Sequence, residues 1–510
     1  MGTYILAHDL GTSGDKASLY TENGTLTASA TYNYGTMYPK AGWAEQDPED
    51  WWEAVCASTK IVLDKAGLNG EDVACISFSG QMMGALPLDA SGKPLRHSII
   101  WADARAAEET DHMREAVGED ELYQITGTSI APTYSLEKIL WIKNHQRDIY
   151  DAAAAFVNAK DFIVYRLTGK FATDLSDASG TNMLDIQKKK WSTEILSAAG
   201  VDPGKLPPLY PSTAVIGYVL PGVAEKAGLS EKTAVVIGGG DGPCATVGAG
   251  AVEDGDAYVY YGSSSWIAVA GRKPLYDPDQ RTFNLCHLDP DLYMAPGTMQ
   301  SAGGSYEWLR DTVCMAEKHA SELVGEGTYE LMSAEAASST PGSKGLLFLP
   351  YLLGERCPYW NPHARGAFVG LSRAHTRADI IRSVLEGVVF NLCVILDLFR
   401  GQGVDIRELT AIGGGIRSDL LSQMMADIYE VNIKRPVVLE EATSFGAAVA
   451  GGVGTGIFGG FHEVKDMIKI RDTITPDLQS TAAYKKLYPV FQDAYASLVG
   501  VYESLAQLNE

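Results

Sequence analysis

The stretch Tyr4-Ile-Leu-Ala-His-Asp9-Leu-Gly-Thr-Ser-Gly14 decides how the chain is read. Its first residues are an apolar strand, Asp9 stands where that strand runs out, and Gly11 to Gly14 make a tight polar turn. Lys16 to Tyr20 continue as a second strand, and Asn23-Gly24 turns the chain back through Leu26 to Tyr32 as a hairpin. In a dinucleotide-binding fingerprint a helix opens after the glycines. Here a strand follows, so the Rossmann reading is rejected.

Half the chain later a similar device recurs, Ala257-Tyr-Val-Tyr-Tyr-Gly262-Ser-Ser-Ser265. Just before it, Val235-Val-Ile-Gly-Gly-Gly-Asp241-Gly-Pro243 sets a carboxylate at the end of a third strand. Amides of such turns converge on phosphate oxygens, Thr12 and Ser13 add hydroxyls, and Lys16 is in reach of the same anion. The turn through Gly262, Ser263 and Ser264 is a second cradle of this kind. Two strand-ended turns and an acidic residue point to a polyphosphate held between two halves, and so to phosphoryl transfer.

A carboxylate at Asp9 is costly unless solvated, paired or near a metal. Beside phosphates it suits Mg²⁺, held through water. Asp241 follows three small residues that let a ligand approach, and suits a base that takes the proton of a substrate hydroxyl. The plainer alternatives are a loop-capping Asp9 and a turn or N-cap Asp241.

At 510 residues the chain exceeds the size at which one core stops growing, which predicts two domains. Gly250 and Asp254-Gly-Asp256 punctuate the pattern, so the expected units are residues 1–250 and 251–510. With 46% hydrophobic and 21% charged residues, the chain is neither fibrous nor disordered. A formal charge of -23 argues against nucleic acid or an anionic membrane as partner. Seven scattered cysteines without a CxxC pair read as reduced, packed thiols. The first residues lack the form of a signal peptide and no stretch approaches a membrane span, so a cytoplasmic protein is expected.

Asp47-Pro48 opens a helix with an apolar stripe through Trp51, Trp52, Val55, Cys56, Thr59, Val62 and Leu63. A second long helix is predicted over Asp379 to Phe399, and a strand from Leu409 to Ile412 runs into Gly413-Gly414-Gly415. Ser444-Phe-Gly-Ala-Ala begins a helix of small residues that permits close backbone packing. Two further strands, Val73 to Phe78 and Ser98 to Trp101, end at Gln81-Met82-Met83-Gly84 and at Trp101-Ala-Asp103-Ala-Arg105. Trp101 can form an apolar wall, while Asp103 and the Gln81 amide suit a hydroxylated ligand. Against this, Met82 and Met83 read as core filler, Gln81 as a loop-closing amide, and Arg105 as the partner that holds Asp103.

Taken together these segments resemble the FGGY carbohydrate kinases, and most closely their xylulokinase branch. Asp9-Leu-Gly-Thr-Ser-Gly14 is similar to the family's N-terminal phosphate motif, and Trp43-Ala-Glu-Gln-Asp-Pro-Glu-Asp-Trp-Trp52 to a segment of its pentulose kinases. Ser135 through Lys138-Ile-Leu-Trp-Ile-Lys-Asn144 resembles the first family signature, and Gly366-Ala-Phe-Val-Gly-Leu371 through Ser383-Val-Leu-Glu386 the second. Phe348-Leu-Pro-Tyr-Leu-Leu-Gly-Glu-Arg356 and Gly413-Gly-Gly415 extend the likeness over nearly the whole chain.

The resemblance implies an α/β fold of duplicated ribonuclease-H-like (actin-like ATPase) domains facing a central cleft. The N-terminal domain would carry sugar and base, the C-terminal domain the nucleotide. It implies ATP and Mg²⁺ as cofactors, with Asp241 as base and Asp9 and Asp241 serving the metal. Gly11, Thr12, Ser13, Lys16, Gly262, Ser263 and Ser264 would surround phosphates, and Gly413, Gly414, Gly415 and Ser418 would lie beside the nucleoside. Gln81, Met82, Met83, Trp101, Asp103 and Asp241 would meet the sugar. The implied reaction is ATP-dependent phosphorylation of a ketopentose at its terminal hydroxyl, D-xylulose to D-xylulose 5-phosphate foremost. Another pentulose, a polyol, a sugar acid or a non-catalytic binding role are the alternatives, and a homodimer is a family-based expectation. Three positions depart from the usual xylulokinase pattern: Met83 for His, Ala102 for Asn and Gly242 for Asn.

Overall fold

A computed structural model describes residues 3–437 and 441–508. Strands β1 (Tyr4–Leu10), β2 (Gly14–Tyr20) and β3 (Leu26–Asn33) form the antiparallel meander that the opening motif predicts, with Gly24 in the left-handed region at φ 76° in the hairpin turn. Helix α1 (Pro48–Ala66) starts as its sequence dictates: the Asp47 carboxylate accepts the Glu49 N–H at 2.9 Å, and Pro48 takes the first turn. Its Trp51, Trp52, Val55, Val62 and Leu63 are buried in the N-terminal core with Leu6, Leu19 and Ile76. Strand β4 (Val73–Gly80) pairs parallel with β1, setting Gly80 beside Leu10.

Helices α2 (Ser135–His145), α3 (Ala159–Thr168) and α4 (Leu175–Ser179) come before the last strands of this sheet. These are β5 (Val215–Tyr218), β6 (Ala234–Val236) and the short β7 (Gly239–Gly240). The sheet runs β5-β6-β4-β1-β2-β3, with β7 also on β4. Helix α5 (Asp241–Gly248) leaves β7 directly. The predicted strand over Ser98 to Trp101 is shorter, Ser98–Ile99, because the Asp103 N–H bonds back to the Ile100 carbonyl and turns Trp101 out of the ladder.

The second half holds β8 (Ala257–Tyr261), β9 (Ser265–Gly271), β10 (Leu285–Cys286), β11 (Tyr293–Met299) and α6 (Gly303–Thr312). After them come α7 (Arg377–Gly401), β12 (Glu408–Ile412), α8 (Asp419–Tyr429), β13 (Asn432–Pro436), α9 (Ala442–Thr455), β14 (Ile470–Ile474) and α10 (Leu478–Gln507). The sheet order is β10-β11-β9-β8-β12-β13-β14. Thr376 and Asp379 form a capping box at the start of α7, whose Ile381, Val384, Val388, Leu392 and Ile395 fill the core beside this sheet.

The chain is thus two α/β units with mixed sheets, and the two sheets share a plan. In each, three strands meander antiparallel, the first also pairs parallel with a fourth, the fourth parallel with a fifth, and the fifth antiparallel with an edge strand. The sheets differ in chain order, since the edge strand β5 precedes its neighbour β6 whereas β14 follows β13, and in their added strands, β7 on β4 in the first and β10 beyond β11 in the second.

Helices cross between the units. Phe445, Ala447, Ala448 and Val449 of α9 pack with Ile5, Ala7, Cys75 and Val236 of the first sheet and with Cys244 and Val247 of α5. Ala245 of α5 in turn packs with Tyr258, Ala268 and Met294 of the second sheet. The close approach of α5 and α9 depends on two small residues: a Cβ on Gly446 would overlap the Cys244 carbonyl, and one on Gly248 would overlap the Ala442 carbonyl. Gly446→Ala is therefore expected to destabilise the protein by about 1–3 kcal/mol through backbone displacement, read as a fall in its thermal midpoint. An unchanged midpoint would show that the helices separate freely.

All seven cysteines are buried and unbridged, as their spacing predicts. No helix among the described residues is long and apolar enough to cross a membrane.

Candidate active site

Asp9 lies near the C-terminal end of β1, where parallel pairing with β4 puts it beside Ser79. The Ser79 hydroxyl donates to Asp9 Oδ1 at 3.0 Å, and the Thr443 hydroxyl, from the first turn of α9, donates to Oδ2 at 2.7 Å. Burial pushes the Asp9 carboxyl above its ordinary range, and these two hydrogen bonds pull it back. Lys16 sits opposite Asp9 in the β1–β2 register, its Nζ 3.5 Å from Glu441 Oε1. Ser18 donates to the other oxygen of Glu441 at 3.3 Å.

Asp241 is the first residue of α5. Gly80, at the end of β4, pairs with Leu10 on one side and Gly240 on the other. Asp9 and Asp241 therefore flank one strand end, on backbones about 10 Å apart at the usual strand spacing. Burial, and after it the negative charge of Asp9, push the Asp241 carboxyl up to about 7, although the Gly242 N–H donates to its Oδ1 at 2.7 Å. These donors are all oxygens: two carboxylates with the Ser79 and Thr443 hydroxyls nearby. That set fits Mg²⁺, which takes one or two carboxylates together with water and phosphate. A cation between two like charges would also lower both carboxyls.

The turn after β1 is pinned from outside. Gln46 donates to the Thr12 carbonyl at 2.6 Å and to Thr36 Oγ1 at 2.9 Å, while its own carbonyl accepts from Trp51 Nε1 at 3.0 Å and Gln81 Nε2 at 2.8 Å. Trp101 is 42% exposed, and its indole N–H donates to Thr12 Oγ1 at 2.8 Å. Gln81 takes the loop-closing role. Its amide N–H group closes the loop through Gln46, whereas its Oε1 is buried without a hydrogen-bond partner.

Met82 is buried against Gly240, so tightly that a Cβ on Gly240 would collide with its sulfur. Met83 adopts φ 64°, and its carbonyl accepts from Lys138 Nζ at 2.7 Å. Asp103 is fully buried and its oxygens are taken: Arg105 donates from its backbone N, Nε and Nη2, and the Ala44 N–H donates to Oδ2. The alternative of Arg105 holding Asp103 is the one realised. At the third departure, Gly242 is partly exposed and a Cβ there would meet only Met294 Cε, at 3.9 Å. Space for a larger side chain is thus left beside Asp241.

The expected nucleotide residues form a second group around the end of β8. Ser263 is exposed, and the turn through Gly262, Ser263 and Ser264 is fastened to the start of α6, since the N–H groups of Ala302 and Gly304 donate to the Ser263 carbonyl and that of Gly303 to the Gly262 carbonyl. Gly413, at φ 96°, lies where a Cβ would touch the Tyr261 backbone, Gly415 lies against the Tyr261 ring, and Gly414 faces open space. Ser418 caps α8 by accepting the Leu421 N–H at 3.3 Å. Helix α9 reaches the first group from the far half of the chain, because Thr443 holds Asp9 and Glu441, just before the helix, faces Lys16. The sequence reading missed Ser79, Gln46, Glu441 and Thr443. Gln46 and Thr443 lie within or beside segments it quoted, yet no local pattern marks which distant residue each one meets.

The chain is similar to known proteins over nearly its whole length. Residues 4–248 match the N-terminal domain, and residues 257–455 the C-terminal domain, of the FGGY family of carbohydrate kinases. The xylulose kinase of Bacillus subtilis (strain 168) is 32% identical over 493 residues, covering 96% of each chain. The gluconokinase of the same organism is 34% identical over 508 residues, 99% of this chain and 98% of that one. A crystal structure of ligand-bound xylulose kinase from Lactobacillus acidophilus superimposes with a TM-score of 0.90 at 28% identity, covering 98% of this chain and 99% of that one.

Proposed function

The chain belongs to the FGGY family of carbohydrate kinases, and from that premise we propose that it phosphorylates the terminal hydroxyl of a ketopentose, D-xylulose foremost, at the expense of ATP. The observation that carries this reading is the pair of carboxylates flanking the end of β4, with Asp241 pushed up to about 7, in range for a base at neutral pH. Asp241 takes the proton of the acceptor hydroxyl as the phosphoryl group leaves the nucleotide. Asp9 and Asp241 hold Mg²⁺, which when bound supplies charge neutralisation to the phosphates. Gly11, Thr12, Ser13, Lys16 and the turn from Gly262 to Ser264 surround the phosphates, and Gly413 to Gly415 with Ser418 flank the nucleoside. Gln81 and Trp101 orient the sugar, Met82 and Met83 shape its pocket, and Asp103 acts indirectly, by fixing Arg105 and the Ala44 backbone.

The common plan of the two sheets supports duplicated ribonuclease-H-like, actin-like domains, divided near residue 250, with the cleft between them. Release of ADP from ATP, measured with D-xylulose, D-ribulose, L-ribulose, glycerol and gluconate, tests the substrate assignment. D-Xylulose is expected to give the highest kcat/KM. Gluconate is the second reading, favoured by the gluconokinase relative, and the three departures at Met83, Ala102 and Gly242 leave room for a sugar other than D-xylulose. Binding of sugar and nucleotide without a phosphorylated product would favour a non-catalytic role.

Met83→His is expected to raise kcat/KM for D-xylulose roughly tenfold, the worth of one well-made polar contact of about 1.4 kcal/mol. The backbone suits the change, since His is among the residues enriched at positive φ. An unchanged or lower value would show that the pocket is built around methionine.

A further inference from the structure

Beneath this site lies a buried cluster that the reaction does not use directly. Lys160 of α3 is fully buried, its Nζ 2.6 Å from Asp161 Oδ1, 2.9 Å from Asp174 Oδ1 and 3.2 Å from Asp177 Oδ2. The three carboxylates are buried as well. Burial works against the charge on Lys160, but the three carboxylates outweigh it and hold the ammonium well above its ordinary range. Burial likewise raises Asp177, toward its protonated form, against the pull of Lys160, and the neighbouring Asp161 and Asp174 reinforce the rise. One cation among three carboxylates is an expensive arrangement in a dry interior, and hydrophobic residues of similar volume would fill the space at lower cost.

Two hydrogen-bonded arms leave the cluster, and both end at the candidate active site. In the first, Asp177 Oδ1 accepts from Asn158 Nδ2 at 2.6 Å, and Asn158 Oδ1 accepts the Gly84 N–H at 2.9 Å. Gly84 closes the Gln81-Met82-Met83 segment. In the second, Asp174 Oδ2 accepts from the Ser176 hydroxyl at 2.5 Å, and Ser176 Oγ accepts the Gly240 N–H at 3.0 Å. Gly240 immediately precedes Asp241. The Lys160 stem lies under Gly80, where a Cβ would stand 3.0 Å from Lys160 Cβ, so the cluster sits below the strand end that separates Asp9 from Asp241.

We infer that Lys160 is a positioning residue that holds the acceptor-binding segment and the base in one register, through an Asp177–Asn158 arm to Gly84 and an Asp174–Ser176 arm to Gly240. The inference rests on Asp241 being the base. The arms make separable demands. Losing Ser176 frees the backbone that aims Asp241, which affects the chemical step. Losing Asn158 frees the segment that receives the sugar, which affects sugar binding.

The test is steady-state kinetics of sugar phosphorylation by the full-length variants Ser176→Ala, Asn158→Ala, Lys160→Met and Asp241→Asn. Ser176→Ala is expected to lower kcat about tenfold with sugar KM within about twofold, and Asn158→Ala to raise sugar KM about tenfold with kcat within about twofold, since small misplacements near reacting atoms carry factors of this size. Lys160→Met is expected to show both effects, and adding Ser176→Ala to it should lower kcat by less than about twofold more, as for residues acting as one unit. If Lys160→Met does not fold, the split between the two single-arm variants decides. Turnover retained by Asp241→Asn removes the base assignment and the inference with it. An inactive Asp241→Asn beside arm variants that change kcat and KM alike overturns the inference alone.

Discussion

Asp241→Asn is expected to lower kcat for sugar phosphorylation by roughly 10³-fold while nucleotide binding persists, because an amide cannot take the proton of the acceptor hydroxyl. The substitution keeps the size of the side chain and an oxygen for the Gly242 N–H, so the local backbone has no reason to move. The wild-type enzyme should show kcat/KM rising with unit slope at acid pH to a limit no higher than about 7, since bound Mg²⁺ lowers the carboxyl from its metal-free position. Stability should run the opposite way. The Asp241 carboxyl is raised in the folded state, so between the ordinary carboxylate range and about 7 the folded protein binds more protons than the unfolded chain. The stabilisation from that proton is complete below the unfolded pKa and is lost as pH rises through the folded one. Asp241→Asn escapes the loss, and should melt at a higher temperature than wild type at about pH 8, both proteins free of divalent cation. A variant that is both inactive and more stable identifies a functional carboxylate. Near-normal turnover rejects the base, and a lowered midpoint would trace the lost activity to damage of the fold.

Asp9→Asn should cost about 10²–10³-fold in kcat/KM, as expected for removal of one electrostatic group from a phosphoryl-transfer site, with a steeper requirement for magnesium. An asparagine can still accept from Ser79 and meet Thr443, whose hydroxyl rotates to accept, so the helix α9 contact survives. The variant has a second signature. The Asp9 charge is, after burial, the cause that raises Asp241, so its removal should move the lower pH limit of activity downward. A magnesium titration and a pH profile on the same variant test both. An unchanged magnesium dependence would argue against the metal role, and an unmoved pH limit would separate Asp9 electrostatically from Asp241. Removing divalent cations with a chelator should abolish phosphorylation in the wild type.

Several features of the site are legible in the sequence because their causes are local. The β1–turn–β2 unit follows from an apolar run ended by Asp9 and Gly11, the hairpin from Asn23-Gly24, and the start of α1 from Asp47-Pro48. In each case the residues that interact are within a few positions of one another. Asp103 shows where this stops. Its chemistry suited a sugar hydroxyl as well as a brace, and the choice was made by the Ala44 N–H and by an Arg105 guanidinium lying 3.7 Å from the Trp43 ring centroid and 4.9 Å from that of Trp141. Met83 illustrates the same limit, since the strain at its backbone and the Lys138 ammonium on its carbonyl belong to the packing of α2.

From periodicity, caps and glycine turns alone, the chain declares its strands and helices, a phosphate-type turn in each half, and acidic residues at two strand ends. Those properties come from short-range stereochemistry, which a few neighbouring residues settle. Only the folded molecule set Asp9 and Asp241 on either side of β4, brought Thr443 onto Asp9 across more than four hundred residues, and wired Lys160 to Gly84 and Gly240. A buried polar group must find its partners wherever the tertiary packing leaves them, and that choice has no signature in the order of the residues around it.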